Sequence, residues 1–152
     1  MLFALDTSTS WISLALFDGT FLRYEVTWET QHHHTVELAP ALERMIKSTG
    51  IKPSELTGLA VATGPGSFTS LRIGVSFIKG MALAVNIPLV GIPSLDVIAK
   101  AQPLDERPMV AVLHAGRQRL ACGTYHVVGG EWVAQGEPVV LDARDLVKTI
   151  ES

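Results

Sequence analysis

The sequence predicts an α/β domain built on a mixed sheet. Three observations favour this class: three strand-like runs open the chain, an amphipathic helix follows them, and a strand–helix–strand–helix succession comes next. Strands joined by tight turns pair antiparallel, whereas strands that alternate with helices are typical of parallel pairing. The order of elements therefore indicates one sheet that contains both kinds of neighbour.

The first strands are predicted from short apolar runs that are separated by turn residues. Residues 2–5 and 12–17 flank a polar stretch, and Asp18-Gly19 precedes a third run at residues 21–28. An Asp-Gly pair between apolar runs is typical of a hairpin turn. We therefore expect three antiparallel strands at the start of the domain.

Residues 35–48 predict an amphipathic helix, because apolar side chains recur there every three or four positions. Pro40 has no backbone N–H to donate, so we expect a kinked first turn or a late start of this helix. Glu43 and Lys47 are four residues apart and form a favourable pair on its outer side. Thr49-Gly50 is expected to end the helix.

The remaining elements follow from the same signals. The helix at 70–85 is apolar nearly all round, so both of its faces should be covered. Ser94 and Asp142 are the expected N-caps of two later helices, and residues 102–108 resemble a linker. The predicted elements are a helical turn at 53–56, strands at 58–62, 89–92, 109–113, 120–128 and 132–141, and helices at 70–85, 94–100 and 142–150.

Composition limits the class of protein. The chain has 152 residues, 47% of them hydrophobic and 18% charged, which is typical of one ordered globular domain. A net charge of −3 gives no general attraction to nucleic acid, so a partner would have to supply a basic surface. Cys122 is the one cysteine, and we expect it to be a small buried hydrophobe. Since no signal peptide or membrane-spanning stretch is evident, we expect a cytoplasmic protein.

The most informative segment runs from Gly64 to Gly74 and reads GPGSFTSLRIG. Glycines around a proline give a tight turn, and Ser67 or Thr69 could then cap the helix that follows. Such a strand–turn–helix junction suits either an anion or close packing of backbone. Its spacing matches neither the P-loop nor the dinucleotide fingerprint. By residues alone, a ligand-binding turn and a structural elbow both stay open.

Together with Met1-Leu2-Phe3-Ala4-Leu5-Asp6-Thr7-Ser8-Thr9, this segment resembles the TsaB (YeaZ) family, over residues 1 to about 125. That family is the non-catalytic partner of TsaD, which makes threonylcarbamoyladenosine on tRNA. The resemblance implies an actin-like ATPase (ASKHA, ribonuclease H-like) lobe at 1–102. An incomplete second lobe of β-hairpins and a short helix would follow at 103–152. It also implies a TsaD-like partner or a homodimer, with tRNA contacted only indirectly and no membrane.

Asp6, Thr7, Ser8 and Thr9 are the candidate nucleotide-binding residues. The resemblance implies that this hairpin cradles phosphate in actin-like ATPases, with the aspartate near a metal. We favour the simpler interpretation, an Asx or hydroxyl turn that closes a hairpin. A full nucleotide site would also need a second phosphate hairpin and an adenosine pocket from the far lobe, of which little is present. We therefore expect no cofactor, with ATP bound only weakly or together with a partner.

His32, His33 and His34 raise the hypothesis of a metal site. Two helical ligands must stand four residues apart to share one face, and only His33 with Glu37 meets this condition. TsaD places two histidines four apart in the similar region, and this chain departs from it at the second ligand. We favour a solvated histidine cluster and expect no metal.

The other polar residues of the motifs give no catalytic set. Ser67 lies in Gly-Pro-Gly-Ser-Phe, which is not the G-x-S-x-G elbow. Arg72 is expected to pair with an acidic group or to brace the turn. His114 stands where relatives often have Asp. Gly64, Gly66, Ser67, Arg72 and Gly74 are therefore interpreted as structural residues of the turn.

The two apolar helices carry more apolar surface than one small lobe can cover, which predicts a partner surface. The resemblance points to the same two helices, paired with a second subunit in a helical bundle. Periodicity cannot separate the partner face from the core face. The residues chosen for this interface are His34, Leu38, Leu42, Phe77, Ile78 and Met81.

The resulting hypothesis is a non-catalytic scaffolding or activating subunit that binds TsaD and supports threonylcarbamoyl transfer to tRNA adenosine. The alternatives are an actin-like nucleotide-binding hydrolase, an M22 glycoprotease-like enzyme, or an unrelated structural homodimer. The incomplete far lobe and the absence of a second metal-binding histidine favour the first.

Overall fold

The computed structural model describes residues 1–30, 34–116 and 119–151, and a five-stranded mixed sheet forms their first half. Its order is β3-β2-β1-β4-β5, and the parallel pairs are β1 with β4 and β4 with β5. The predicted α/β fold with a mixed sheet is confirmed. The strands are β1 (Leu2–Asp6), β2 (Trp11–Phe17), β3 (Leu22–Glu29), β4 (Gly58–Ala62) and β5 (Leu89–Ile92).

Helices α1 (His34–Thr49) and α2 (Phe68–Val85) pack on one face of this sheet. Side chains alternate along each strand, so that in β1 every second residue points towards the helices. The helices contribute a narrow apolar stripe to the same core. The fully buried large side chains of this core are Phe3, Ile12, Leu14, Leu16, Leu38, Met45, Leu59 and Ile78.

Helix α1 includes Pro40 within its sixteen residues, so the alternative of a late helix start is wrong. The predicted pair of Glu43 and Lys47 is present, with Oε1 and Nζ 2.6 Å apart on the outer side. A short 3₁₀ turn (Pro53–Glu55) follows α1 and leads into β4.

Helix α2 begins two residues earlier than predicted. Its buried residues are Ser70, Gly74 and Ile78, so the described residues of this chain leave the outer face open, and the covering of that face by a partner stays a prediction. By length and composition alone α2 could cross a membrane, which corrects the expectation that no stretch qualifies. The inner side of α2 packs on β4, as in the core helix of an α/β domain.

The second sheet is built around one long strand. Strand β7 (Leu120–Val128) pairs with β6 (Met109–His114) on one edge. Strands β8 (Glu131–Ala134) and β9 (Val139–Leu141) lie one after the other on its opposite edge. The predicted single run at 132–141 is therefore two strands, because the backbone turns at Gly136, whose φ is +77°.

Helix α3 (Ser94–Lys100) covers one face of the second sheet. Its Leu95 and Ala99 are buried against apolar side chains of β6, β7 and β8. The hydroxyl of Tyr125 donates to Oδ1 of Asp96 at 2.7 Å, which fixes the helix on the sheet. The division of the chain into two lobes at residue 102 stays a prediction. Helix α3 lies before this boundary, but its buried side chains share a core with β6, β7 and β8, which lie after it.

Helix α4 (Ala143–Glu151) follows β9 and begins as predicted. The carboxylate of Asp142 accepts hydrogen bonds from the backbone N–H groups of Arg144 at 2.8 Å and Asp145 at 2.9 Å. Cys122, in β7, is buried, as its small apolar character predicted, and burial raises the pKa of its thiol.

Candidate functional site

The two segments that the sequence singled out lie against each other. The β1–β2 turn, residues 7–10, meets the start of α2, where the N–H of Ser67 donates to the carbonyl oxygen of Ser8 at 2.7 Å. A Cβ atom on Gly66 would overlap that same carbonyl group. Glycine is therefore required at position 66 by the close approach of two backbones.

Thr7 is completely buried at this junction. Its hydroxyl donates to the carbonyl oxygen of Ser70 at 2.8 Å, and its side chain fills the space in which a Cβ of Gly74 would lie. The glycine at the end of the motif is thus explained by helix-to-turn packing. The contacts of Gly66, Ser67 and Gly74 fit a structural elbow, one of the two alternatives that the sequence left open, and ligand binding at this turn stays a prediction.

The elbow is also fixed to α3. The N–H of Gly64 donates to Oγ of Ser94 at 3.1 Å, and the N–H of Ser94 donates to the carbonyl oxygen of Gly64 at 2.8 Å. Pro93 occupies the N-cap position of α3, so the prediction that Ser94 caps this helix is wrong. Hydroxyl groups bond to whichever backbone group lies near, and the sequence could not reveal a neighbour thirty residues away.

Ser67 is the N-cap residue of α2, as predicted, but its side chain makes no capping bond to the helix. Its hydroxyl is instead 2.8 Å from that of Ser70. Arg72 was expected to meet an acidic group or to brace the turn. In the described part of the chain it has no ion pair, and its guanidinium lies 5.3 Å from the centre of the Phe68 ring on the helix surface.

The four candidate nucleotide-binding residues do not converge on one site. The carboxylate of Asp6 accepts the N–H of Ser8 at 2.7 Å, which is an Asx turn. Asp6 lines a groove on the sheet face opposite to α1 and α2, and Thr7 is buried. Thr9 closes its own turn with Trp11, whose N–H lies 3.0 Å from the Thr9 hydroxyl. Whether any nucleotide binds here stays a prediction.

A cleft of about 660 Å³ separates the β1–β2 turn from the second sheet. Its far wall is the β6–β7 hairpin, where Nδ1 of His114 accepts the N–H of Gly116 at 3.3 Å. None of the described lining residues is acidic: they are Ser8, Thr9, Ser10, Gly66, Ser67, Phe68, Thr69, Ser70, His114, Ala115, Gly116 and Arg119.

Arg119 was not singled out by sequence reasoning. It follows β6 in the hairpin, and its N–H donates to the carbonyl oxygen of Gly116 at 3.0 Å. Only the fold brings it to the same cleft as Ser8, which is more than a hundred residues away in the chain. No local pattern signals this proximity.

A second groove, of about 560 Å³, lies between α1 and α2 and is lined by Leu38, Thr69, Arg72, Ile73, Ser76 and Phe77. Beside it the outer face of α2 is apolar and open: Phe68 is 73% exposed and Leu83 is 83% exposed. We call the groove together with this outer face the helix surface.

Two of the predicted interface residues lie in the core and not on the helix surface, which corrects their assignment. Leu38 and Ile78 are 1% and 0% exposed and belong to the core of this chain, because their positions on α1 and α2 point towards the sheet, although Leu38 also borders the groove. Leu42, Phe77 and Met81 are half-buried at the edge of that core, and their role in an interface stays a prediction. His34, another of the predicted interface residues, is the first residue of α1, and its side chain lies outside the described structure.

The histidine cluster is only partly described. His32 and His33 lie outside the described residues, and the expectation of no metal there stays a prediction. Glu37, the possible second ligand, accepts the indole N–H of Trp28 at 2.7 Å and the hydroxyl of Thr30 at 3.1 Å. Within residues 1–30, 34–116 and 119–151 no group of three histidine, cysteine, aspartate or glutamate residues could hold a metal ion.

Comparison with known proteins gives one family. The protein-family model that matches residues 27–149 is described as TsaD: tRNA N6-adenosine threonylcarbamoyltransferase. The chain is 29% identical to the tRNA threonylcarbamoyladenosine biosynthesis protein TsaB of Bacillus subtilis over 141 residues, which is 91% of this chain and 61% of that protein. It is 33% identical to the protein of the same name from Escherichia coli over 64% of this chain and 42% of that protein.

Solved structures agree with the sequence comparison. YeaZ from Pseudomonas aeruginosa superimposes with a TM-score of 0.84 at 27% identity, over 92% of this chain and 66% of that protein. The chain thus spans about 61% of the length of the Bacillus relative and about two fifths of the Escherichia coli relative.

Proposed function

Because this chain belongs to the family described as TsaD, tRNA N6-adenosine threonylcarbamoyltransferase, and resembles TsaB over most of its length, we propose that it is a non-catalytic subunit that binds a TsaD-type protein. In this role it supports threonylcarbamoyl transfer to tRNA adenosine without contacting tRNA directly. A cytoplasmic location, where tRNA is modified, is part of the same proposal.

The observation that carries the proposal is the helix surface. Large apolar side chains such as Leu83 are costly to leave in water, and together with a groove they form the kind of patch that marks a protein interface. Arg72, whose guanidinium lies over the Phe68 ring, adds an arginine, a residue type that is enriched at the centres of interfaces. A TsaD-type protein is the occupant we commit to, since proteins named TsaB and the TsaD family model are what the chain matches.

Two observations favour this role over an actin-like hydrolase. The carboxylate of Asp6 accepts the backbone N–H of Ser8 at 2.7 Å, and Asp6 is not among the described residues that line the cleft. The described lining of the cleft also has no carboxylate that could hold a magnesium ion beside a nucleotide. An M22 glycoprotease-like activity stays an alternative with no specific observation in its favour.

The test is complex formation with the TsaD protein of the same organism, measured by light scattering after size-exclusion chromatography. Leu83→Glu places a charge on the helix surface, and we expect it to weaken the complex at least tenfold, because a charge stranded at an interface costs over 1.4 kcal/mol. Leu104→Glu is the matched control, since Leu104 is 56% exposed in the linker outside the helix surface. Circular dichroism confirms that both variants are folded.

Three outcomes are distinguished. Loss of the complex with Leu83→Glu alone supports the proposal, and self-association disrupted by the same variant, without any TsaD complex, supports a homodimer instead. Equal binding of TsaD by both variants would show that the helix surface is not the interface. In a tRNA modification assay, the chain should raise the product only when TsaD is present, and ATP or peptide hydrolysis by the chain alone would favour the enzymatic alternatives.

A further inference from the structure

The outer face of α2 carries positive charge at its centre. Arg72 and Lys79 are exposed and lie about two helical turns apart, between Phe68 and Leu83. These four residues are spaced by four, seven and four positions, which places them on one side of an α-helix, opposite to its buried side. The outer face of α2 is therefore an apolar stripe with two cations in its middle.

The two cations have no counter-charge in the described part of this chain. Neither Arg72 nor Lys79 takes part in an ion pair within residues 1–30, 34–116 and 119–151. The sequence contains no aspartate or glutamate in residues 56–95, a range that includes all of α2. Since the whole chain has a net charge of −3, the charge of this face is opposite in sign to that of the protein. An occupant that supplies carboxylates would complement it.

A second copy of this chain offers no free carboxylate from its own two helices. In a twofold dimer the same surface meets itself, so Arg72 and Lys79 of one copy would approach those of the other. Helix α1 has two acidic residues, and both are engaged within the chain. Glu37 accepts two hydrogen bonds, and Glu43 pairs with Lys47 at 2.6 Å. Like charges therefore oppose self-association through the helix surface.

We propose that Arg72 and Lys79 select the partner of the helix surface: they pair with carboxylates of a TsaD-type protein and disfavour a second copy of this chain. The inference rests on the proposed function, which names the partner, and adds the residues that decide between the two occupants. A guanidinium group binds a carboxylate through two parallel hydrogen bonds, so Arg72 contributes direction as well as charge. The hydroxyl groups of Thr69 and Ser76 line the groove beside it and can donate to the same carboxylate.

The experiment compares binding of the TsaD protein of the same organism, by isothermal titration calorimetry, with self-association, by sedimentation equilibrium. Arg72→Gln and Lys79→Gln each remove one charge. We expect each to weaken the TsaD complex about tenfold and to leave self-association unchanged or stronger. Lys100→Gln is the matched control, since Lys100 is exposed on α3, which packs on the second sheet. Circular dichroism checks that all variants are folded.

Salt gives a second readout, which a purely structural role of these residues would not change. Between about 0.05 M and about 0.5 M salt the screening length falls about threefold, so the parent should bind TsaD more weakly at high salt. The two glutamine variants should show a smaller loss. Arg72→Lys keeps the charge and should keep the salt dependence, although it loses the second hydrogen bond. Self-association of the parent should instead increase with salt, because screening reduces the repulsion between like charges.

The inference and the proposed function fail in different ways. Weaker TsaD binding by both glutamine variants and not by Lys100→Gln, with self-association maintained, supports the inference. If the parent binds TsaD and both glutamine variants bind it equally tightly at every salt concentration, the inference is overturned and the proposed interface stands. Self-association that requires Arg72 or Lys79 also overturns it, since the cations would then bind a second copy. If the parent forms no complex with TsaD, the proposed function fails and the inference fails with it.

Discussion

Gly74 of α2 lies directly against the side chain of Thr7, which is buried between the first hairpin and the helix. The Thr7 hydroxyl donates to the carbonyl of Ser70 one helical turn earlier, across a sequence separation of 63 residues. This contact holds together the two segments that the sequence analysis had singled out separately. It shows why the motif must end in a glycine.

Gly74→Ala should destabilise the fold by about 1–3 kcal/mol, because the added methyl group overlaps Thr7 in a packed contact. Urea unfolding followed by circular dichroism measures this change. Gly80→Ala is the control on the same helix, since no heavy atom lies within 4 Å of its added Cβ. It should stabilise the chain by about 0.5–1 kcal/mol through helix propensity. Equal losses for the two variants would contradict the packing explanation.

Leu38→Ala should cost about 2–5 kcal/mol, because Leu38 is 1% exposed and its truncation leaves a cavity under α1. Val36, two residues earlier in the same helix, is 67% exposed, and Val36→Ala should change the free energy of unfolding by less than about 0.5 kcal/mol. Thermal unfolding distinguishes the two. If Leu38→Ala were as stable as the parent, Leu38 would be available to an interface after all.

Tyr125→Phe should lower stability at neutral pH by about 1–3 kcal/mol, since the Asp96 carboxylate loses its hydroxyl partner. The measurement is urea unfolding at pH 7, with Tyr24→Phe as the matched control. Tyr24 has no side-chain hydrogen bond in the described structure, so its substitution should cost less.

The same tyrosine should make the fold sensitive to alkali. Burial, followed by the hydrogen bond to Asp96, raises the pKa of Tyr125 above its usual value of about 10. The folded state therefore holds the phenol proton more tightly than the unfolded chain does. This contribution is complete below pH 10 and is lost as the pH rises beyond it. Unfolding measured between pH 9 and 11 should show a steeper loss for the parent than for Tyr125→Phe, and parallel curves would refute the assignment.

Asp142→Ala should destabilise α4 by about 1 kcal/mol, because two N–H groups at its start lose the carboxylate that accepts them. Hydrogen exchange at Arg144 and Asp145 reports the change locally. Asp142→Asn keeps an oxygen acceptor at the same position and should preserve most of the protection. Unchanged exchange in the alanine variant would mean that the cap contributes nothing.

The sequence predicted the elements well and their contacts poorly. Strand and helix positions follow from local periodicity, so β1, β4 and α1 lie within two residues of expectation. Periodicity carries no information about which helix face a second subunit would cover. Leu38 was therefore assigned to the partner face, whereas it lies on the core face. The predicted cap at Ser94 failed because its hydroxyl bonds to Gly64, on a distant loop.

The candidate cleft could not be predicted from local sequence patterns, for a similar reason. Ser8 and Arg119 come from turns of two different sheets, which are connected through α3 by its packing on the second sheet and by the hydrogen bonds of Ser94 with Gly64. The glycines at 66 and 74 were the available signal, because residues without a side chain often mark a close approach. They indicated contact without identifying the partner.

The parallel pairing of β1 with β4 determines the order in which the chain can fold during synthesis. Strands β1, β2 and β3 form a local antiparallel unit soon after they leave the ribosome, but one edge of β1 stays open until residues 58–62 follow. Contacts between distant segments form late, because the intervening loop must first close. The contact of Thr7 with α2 can form only after that. A nascent chain arrested before α2 is complete should therefore expose the part of the apolar sheet face that α2 covers, although α1 has already been synthesised.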